Sequence, residues 1–173
     1  MSSDLALRRT LVAHSDLPLV VMFNDADPSR LRARAREFCD DRFAHWSRSY
    51  SGDLALVAGW HLRVGVDVEL LDRSSSSSWS LDDQNFRRVI MTPEERQLTS
   101  TDGTSRASIS AIDLWCSKEA LAKALGSPLE IDPTRLTGPP FWSGLARGAW
   151  RARSLDDQIL GRDAVGWVVY EAS

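Results

Sequence analysis

Two short stretches of this 173-residue chain carry residue types that could do chemistry together. The first is Gly65-Val66-Asp67-Val68-Glu69, in which two carboxylates stand two positions apart. In a β-strand that spacing projects both from one face, roughly 6 to 7 Å apart along the strand, and Gly65 shares the face and leaves room. Hard cations such as magnesium take carboxylate oxygens and keep space for water and substrate phosphates, which acids beside a glycine can offer. The same pattern also suits an edge strand whose wet face is acidic, because alternating strands commonly turn charges outward. The second stretch is Trp115-Cys116-Ser117-Lys118-Glu119-Ala120-Leu121-Ala122-Lys123. Glu119 and Lys123 are four apart, hence neighbours on one face of a helix. Such a pair is most often a solvated ion pair. Lys118 falls near the apolar side marked by Leu114, Leu121 and Leu125, where a lysine must either snorkel or meet an anion. Trp115 reads as core packing.

The elements that must position these residues can be read from pattern and punctuation. Leu17 to Phe23 is a buried strand ended by the turn formers Asn24 to Pro28, and Ser29 to His45, free of Gly and Pro, reads as a helix. Leu54 to Trp60 and Leu62 to Leu71 read as two strands of an antiparallel hairpin turning around Gly59-Trp60-His61. Ser74 to Ser78 is a low-complexity loop. A helix is expected near Asp82 to Ile90, and another begins at Thr92-Pro93-Glu94-Glu95, where Thr92 caps, Pro93 fills the first turn and Glu95 closes a capping box. After a loop at Asp102 to Thr104, a long helix is predicted over Ser108 to Leu125, stopped by Gly126 and Pro128. Two further strands lie near Leu145 to Arg153 and Ala164 to Glu171. Strands and helices therefore mix as α+β.

Composition narrows the classes. With 43% hydrophobic and 26% charged residues the chain can bury one sizeable core. A net charge of -3 argues against a nucleic-acid partner, which would show as a basic domain or stripe. Cys39 and Cys116 are far apart and lack ligand-spaced neighbours, so they read as free thiols in a reducing compartment. No apolar run approaches the roughly 20 residues of a membrane span, so no membrane partner and a cytoplasmic location are expected.

The order Gly-Val-Asp-Val-Glu (65 to 69), Thr-Pro-Glu-Glu-Arg (92 to 96) and Trp-x-x-Lys-Glu-Ala-x-x-Lys-x-x-Gly (115 to 126) resembles the 4′-phosphopantetheinyl transferase superfamily. Similarity runs from about Ser49 to the C-terminus. The resemblance implies a two-lobed α+β fold, antiparallel sheets packed by a long helix, with a reduced N-terminal lobe over 1–60 and a C-terminal lobe over 61–173 carrying a metal site, in one compact unit. It also implies transfer of the 4′-phosphopantetheine group of coenzyme A to a serine of an apo acyl or peptidyl carrier protein, with release of 3′,5′-ADP. The setting would be fatty acid or polyketide biosynthesis. Asp67, Glu69 and Glu119 would ligate magnesium, Lys118 and Lys123 would hold phosphate oxygens of coenzyme A, and Glu119, Lys123 and Asp67 would serve the chemistry. The 64 residues ahead of Gly65 favour the surfactin-type single-chain branch, and hence a monomer, over the trimeric short branch.

Two features depart from that branch. Its Ser-His-Ser-like motif, whose histidine approaches the 3′-phosphate of coenzyme A, is matched here by Ser49-Tyr50-Ser51-Gly52. Ser49 and Tyr50 would then lie on coenzyme A, and Tyr50 could donate one hydrogen bond without bringing charge. The upstream Gly-Lys/Arg-Pro segment is absent, and Arg8, Arg9, Arg34 and Arg36 are candidates to replace its phosphate contacts. Arg87, Arg88 and Arg96 would form the carrier-protein surface. A second reading is a weak or inactive relative that binds a carrier protein or coenzyme A. A third is another magnesium-dependent phosphoryl enzyme, such as a hydrolase.

Overall fold

The computed structural model describes residues 8–12, 16–71, 84–101, 109–126, 131–155, 157–161 and 163–173. The serine run at 74–78, the loop at 102–104 and Pro128 lie outside these residues. Strands β1 (Arg8–Val12), β2 (Leu19–Asn24), β3 (His45–Ser51) and β4 (Leu54–Trp60) form one antiparallel sheet in the order β1-β2-β4-β3. Strands β5 (Val64–Leu70), β6 (Ala146–Arg147), β7 (Trp150–Leu155) and β8 (Ala164–Glu171) form a second in the order β5-β8-β7-β6. The helices are α1 (Pro28–Glu37), α2 (Gln84–Ile90), α3 (Pro93–Thr101), α4 (Ala111–Ala124) and the short α5 (Asp157–Leu160). The fold is α+β, two antiparallel sheets packed by helices.

The expected hairpin between Leu54–Trp60 and Val64–Leu70 is not formed. β4 pairs with β2 and β3, whereas β5 pairs with β8 in the other sheet. The cause lies in β4 itself: all seven of its residues are buried. An apolar run of this kind needs both faces covered, and it takes the centre of a sheet. The chain then crosses at 61–63 to start the second sheet.

The helix expected over Ser29 to His45 stops at Glu37. Asp27 caps its start by accepting from Ser29 and Arg30 N–H groups. Past the Asp40 turn, where the Asp40 side chain accepts from Arg42 N, residues 45–51 become β3. There Trp46 and Tyr50 pack under α1 with Val21, Phe23, Leu31, Ala35 and Val57. Neither β1 nor β3 had a counterpart among the expected strands.

One core cluster draws on both sheets, with Val20, Leu54, Leu56 and Ala58 of the first meeting Val64, Val66, Val68 and Val168 of the second. A further cluster seats Cys116, Ala120, Leu121 and Ala124 of α4 on Ala152, Trp167 and Val169. Ser110 caps α4 by accepting from Asp113 N at 3.1 Å. Among the described residues no helix is long and apolar enough to cross a membrane.

Candidate functional site: the β5–α4 carboxylate cluster

Alternation along β5 sends Val64, Val66 and Val68 into the core shared by the sheets, so Gly65, Asp67 and Glu69 take the other face, against α4. A Cβ at Gly65 would lie 1.9 Å from the Ala120 carbonyl oxygen and 2.5 Å from the Ala124 nitrogen. Gly65 therefore makes room for the backbone of a helix, where the sequence suggested room for a cation and its waters. That close approach is what brings Glu119 and Lys123 of α4 to the acids of β5.

Lys123 Nζ donates to Asp67 Oδ1 at 2.6 Å and to the Val66 carbonyl at 3.2 Å. Burial, and then the neighbouring charge of Asp67, pushes the Glu69 carboxyl up, with Glu119 adding to the effect and Ser51 and Lys123 opposing it. Burial and then Asp67 likewise raise Glu119, against Lys123. Three carboxylates and one lysine thus share a neighbourhood in which the charge of Asp67 disfavours the ionised forms of Glu69 and Glu119.

A second set of contacts comes from β3. Ser47, Ser49 and Ser51 alternate on the face opposite Trp46 and Tyr50, and their hydroxyls accept from Val66 N (3.0 Å), Val68 N (3.4 Å) and Leu70 N (3.0 Å) of β5. Ser49 Oγ also donates to Asp67 Oδ1 at 2.7 Å, and Ser51 Oγ to Glu69 Oε2 at 3.2 Å. The sequence reading gave no role to Ser47 or Ser51. A serine at every second position of a strand was the signal for all three.

Carboxylate oxygens are the donors a hard divalent cation prefers, and Asp67 Oδ2 is buried with no hydrogen-bond partner. Its other oxygen is taken by Ser49 and Lys123. Among the described residues no three His, Cys, Asp or Glu side chains stand in a metal-ligating arrangement. The donor set fits magnesium in its chemistry, with Lys123 supplying the counter-charge to Asp67 in the arrangement seen.

The remaining expected residues sit as follows. Lys118, expected on coenzyme A phosphate, is 2% exposed. Its Nζ donates to Glu95 Oε2 (2.6 Å) and to the Ile90 (2.5 Å) and Pro133 (2.9 Å) carbonyls, so all three ammonium protons are used. Burial lowers its pKa and Glu95 raises it. Of the two outcomes open to a lysine on the apolar side, Lys118 meets an anion, Glu95, whose Oε2 also accepts from Thr92 N while Oε1 accepts from Gly138 N. Glu95 N donates to Thr92 Oγ1, so the capping box forms. Ser49 and Tyr50, expected on coenzyme A, take opposite faces of β3. Ser49 turns to Asp67, and Tyr50 lies on the opposite side of β3, with the Arg32 guanidinium 5.7 Å above its ring.

Several arginines are also engaged inside the fold. Arg8 stacks on Phe38, Arg34 lies 3.8 Å from Asp25, and Arg87 donates to the Ile109 carbonyl. Arg88 and Arg96 are exposed, and Val89, next to Arg88 in the chain, is the exposed large hydrophobic of the described residues. A cavity of about 370 Å³ between Asp16, Trp60, Arg151 and Tyr170 contains none of the expected site residues.

The family model for the 4′-phosphopantetheinyl transferase superfamily matches residues 63–158, more than half of the chain, and takes in β5 and α4 whole. No curated protein matches the chain.

Proposed function

This chain belongs to the 4′-phosphopantetheinyl transferase superfamily, and from that membership we propose that it moves the 4′-phosphopantetheine group of coenzyme A onto a serine of an apo acyl or peptidyl carrier protein. The observation that carries the reading is the meeting of Lys123 with Asp67 where α4 lies on the Gly65 face of β5, inside the matched segment. Asp67, Glu69 and Glu119 would hold magnesium. Bound there, the ion would neutralise and orient the diphosphate of coenzyme A.

The chain's own residues divide the remaining work. The nucleophile is the carrier's serine hydroxyl, so no internal Ser-His-Asp set is required. As the serine oxygen bonds to the transferred phosphorus and the bond to 3′,5′-ADP breaks, Glu119 takes the serine proton. Lys123, already beside the acids, meets the charge developing on the departing ADP. Exposed Arg88 and Arg96 with Val89 suit an acidic partner better than the net charge of -3 does.

The Lys123–Asp67 ion pair also favours a second reading, in which the lysine replaces the cation and the chain binds a carrier protein or coenzyme A without transfer. Melting temperature against magnesium concentration separates the two. The transferase reading expects a magnesium-dependent rise that Asp67→Ala and Glu119→Ala both abolish. A flat response in the wild-type chain gives the second reading the lead.

A further inference from the structure

We propose that Ser49 is a positioning residue of the acidic site: its hydroxyl holds the Asp67 carboxylate while it ties β3 to the free edge of β5, and Ser51 does the same for Glu69. The inference rests on the magnesium reading of Asp67, Glu69 and Glu119 above.

β5 is the edge strand of its sheet and β3 the edge strand of the other. The N–H groups of Val66, Val68 and Leu70 find their partners in three serine hydroxyls of β3. A hydroxyl has one proton to give and two lone pairs with which to accept. Having accepted from the backbone, Ser49 spends its proton on Asp67 Oδ1 at 2.7 Å, and Ser51 spends its own on Glu69 Oε2 at 3.2 Å. Ser49 is 6% exposed and Asp67 4%, so water does not compete freely for this bond.

The consequence is a choice of oxygen. Ser49 and Lys123 both donate to Oδ1, from β3 on one side and α4 on the other, and Oδ2 is the oxygen left with no protein partner. Two donors on one oxygen fix the carboxylate plane. The first sheet thereby sets the orientation of a ligand that belongs to the second. Such hydrogen bonds to metal-binding side chains are worth about 10- to 100-fold in affinity or activity when removed.

Ser47 supplies the control. It accepts from Val66 N at 3.0 Å, as Ser49 does from Val68 N, but among the described residues it gives no hydrogen bond to a carboxylate. Ser47→Ala and Ser49→Ala therefore lose the same kind of tie between the sheets, and only the second loses a contact to a site acid.

The experiment is calorimetric titration of magnesium chloride into the full chain, with the metal-free melting temperature of each variant measured alongside. Ser49→Ala should raise the magnesium Kd about 10- to 100-fold. Ser47→Ala should lower the melting temperature by a similar amount yet keep near wild-type affinity. Ser49→Thr, which retains the hydroxyl, should recover most of the affinity. Ser51→Ala should fall between, since its bond is longer and Glu69 is partly exposed. Equal magnesium binding by wild type and Ser49→Ala overturns the role of Ser49 alone, as does Ser47→Ala weakening affinity just as much. A wild-type chain that takes up no magnesium overturns the metal reading itself, and this inference with it.

Discussion

Gly65→Ala tests how the site is assembled. The added methyl would sit 1.9 Å from the Ala120 carbonyl oxygen and 2.5 Å from the Ala124 nitrogen, whereas ordinary contact begins at 3.4 Å. Both are backbone atoms of α4, so no side chain can swing aside. The helix must retreat from β5 by about 1.5 Å to restore contact with the oxygen. Overpacking of this kind costs about 1–3 kcal/mol, and the upper end is expected where backbone must move. At roughly 2–4 °C per kcal/mol for a chain of this size, the melting temperature should fall by about 6–12 °C. The same retreat draws Glu119 and Lys123 away from Asp67. A misplacement of about 1 Å can cost 10²-fold in rate, so transfer should drop by about that factor below the melting point, where the variant is folded. Differential scanning fluorimetry and a single-turnover transfer assay read the two effects separately. A variant that melts with wild type and transfers at the wild-type rate would refute the claim that Gly65 exists for the helix.

Three further outcomes follow from named contacts. Lys118→Met should cost about 3–5 kcal/mol in urea denaturation by stranding buried Glu95, while the double variant Glu95→Gln/Lys118→Met should recover part of that loss, and the folded variant should still bind coenzyme A. Asp25 is held by Arg30 with its pKa lowered from 3.8 to about 2. A depressed carboxyl contributes stability above its unfolded pKa that is lost as pH falls through the folded one. Thermal melts should therefore show stability falling between about pH 4 and 2, and Asp25→Asn should lower stability at pH 7 while flattening that acid limb. Charge reversal at Arg88 and Arg96 should weaken carrier-protein binding and leave coenzyme A binding intact, as read by surface plasmon resonance against each partner.

What could be read in the sequence was local. The alternation of Asp67 and Glu69 with valines, the capping box at Thr92 and Glu95 and the stop of α4 near Gly126 are each written within a few residues, and each is present in the fold. The pairing of β4 with β2 and β3, and of β5 with β8, is set by which faces find cover across the whole chain, and adjacency in sequence suggested a hairpin instead. The helical wheel left Lys118 either to snorkel or to meet an anion, and the anion it meets lies 23 positions away in another helix. Gly65 was legible as a position needing space; only the packed helix shows what fills it. Ser47, Ser49 and Ser51 stood in plain period two, yet no strand was read there, and a polar run shows its role only once the edge of another sheet is found against it.

The central claim, transfer of phosphopantetheine through the β5–α4 cluster, is tested most directly by intact mass. Wild-type chain, Glu119→Gln and Asp67→Asn should each be incubated with coenzyme A, magnesium and a panel of apo acyl and peptidyl carrier proteins. The account predicts that at least one carrier gains the mass of a single phosphopantetheine group with wild type, that the gain requires magnesium, and that both variants lose it. No gain on any carrier, from a chain that binds both coenzyme A and magnesium, would contradict it, and so would full transfer by Asp67→Asn.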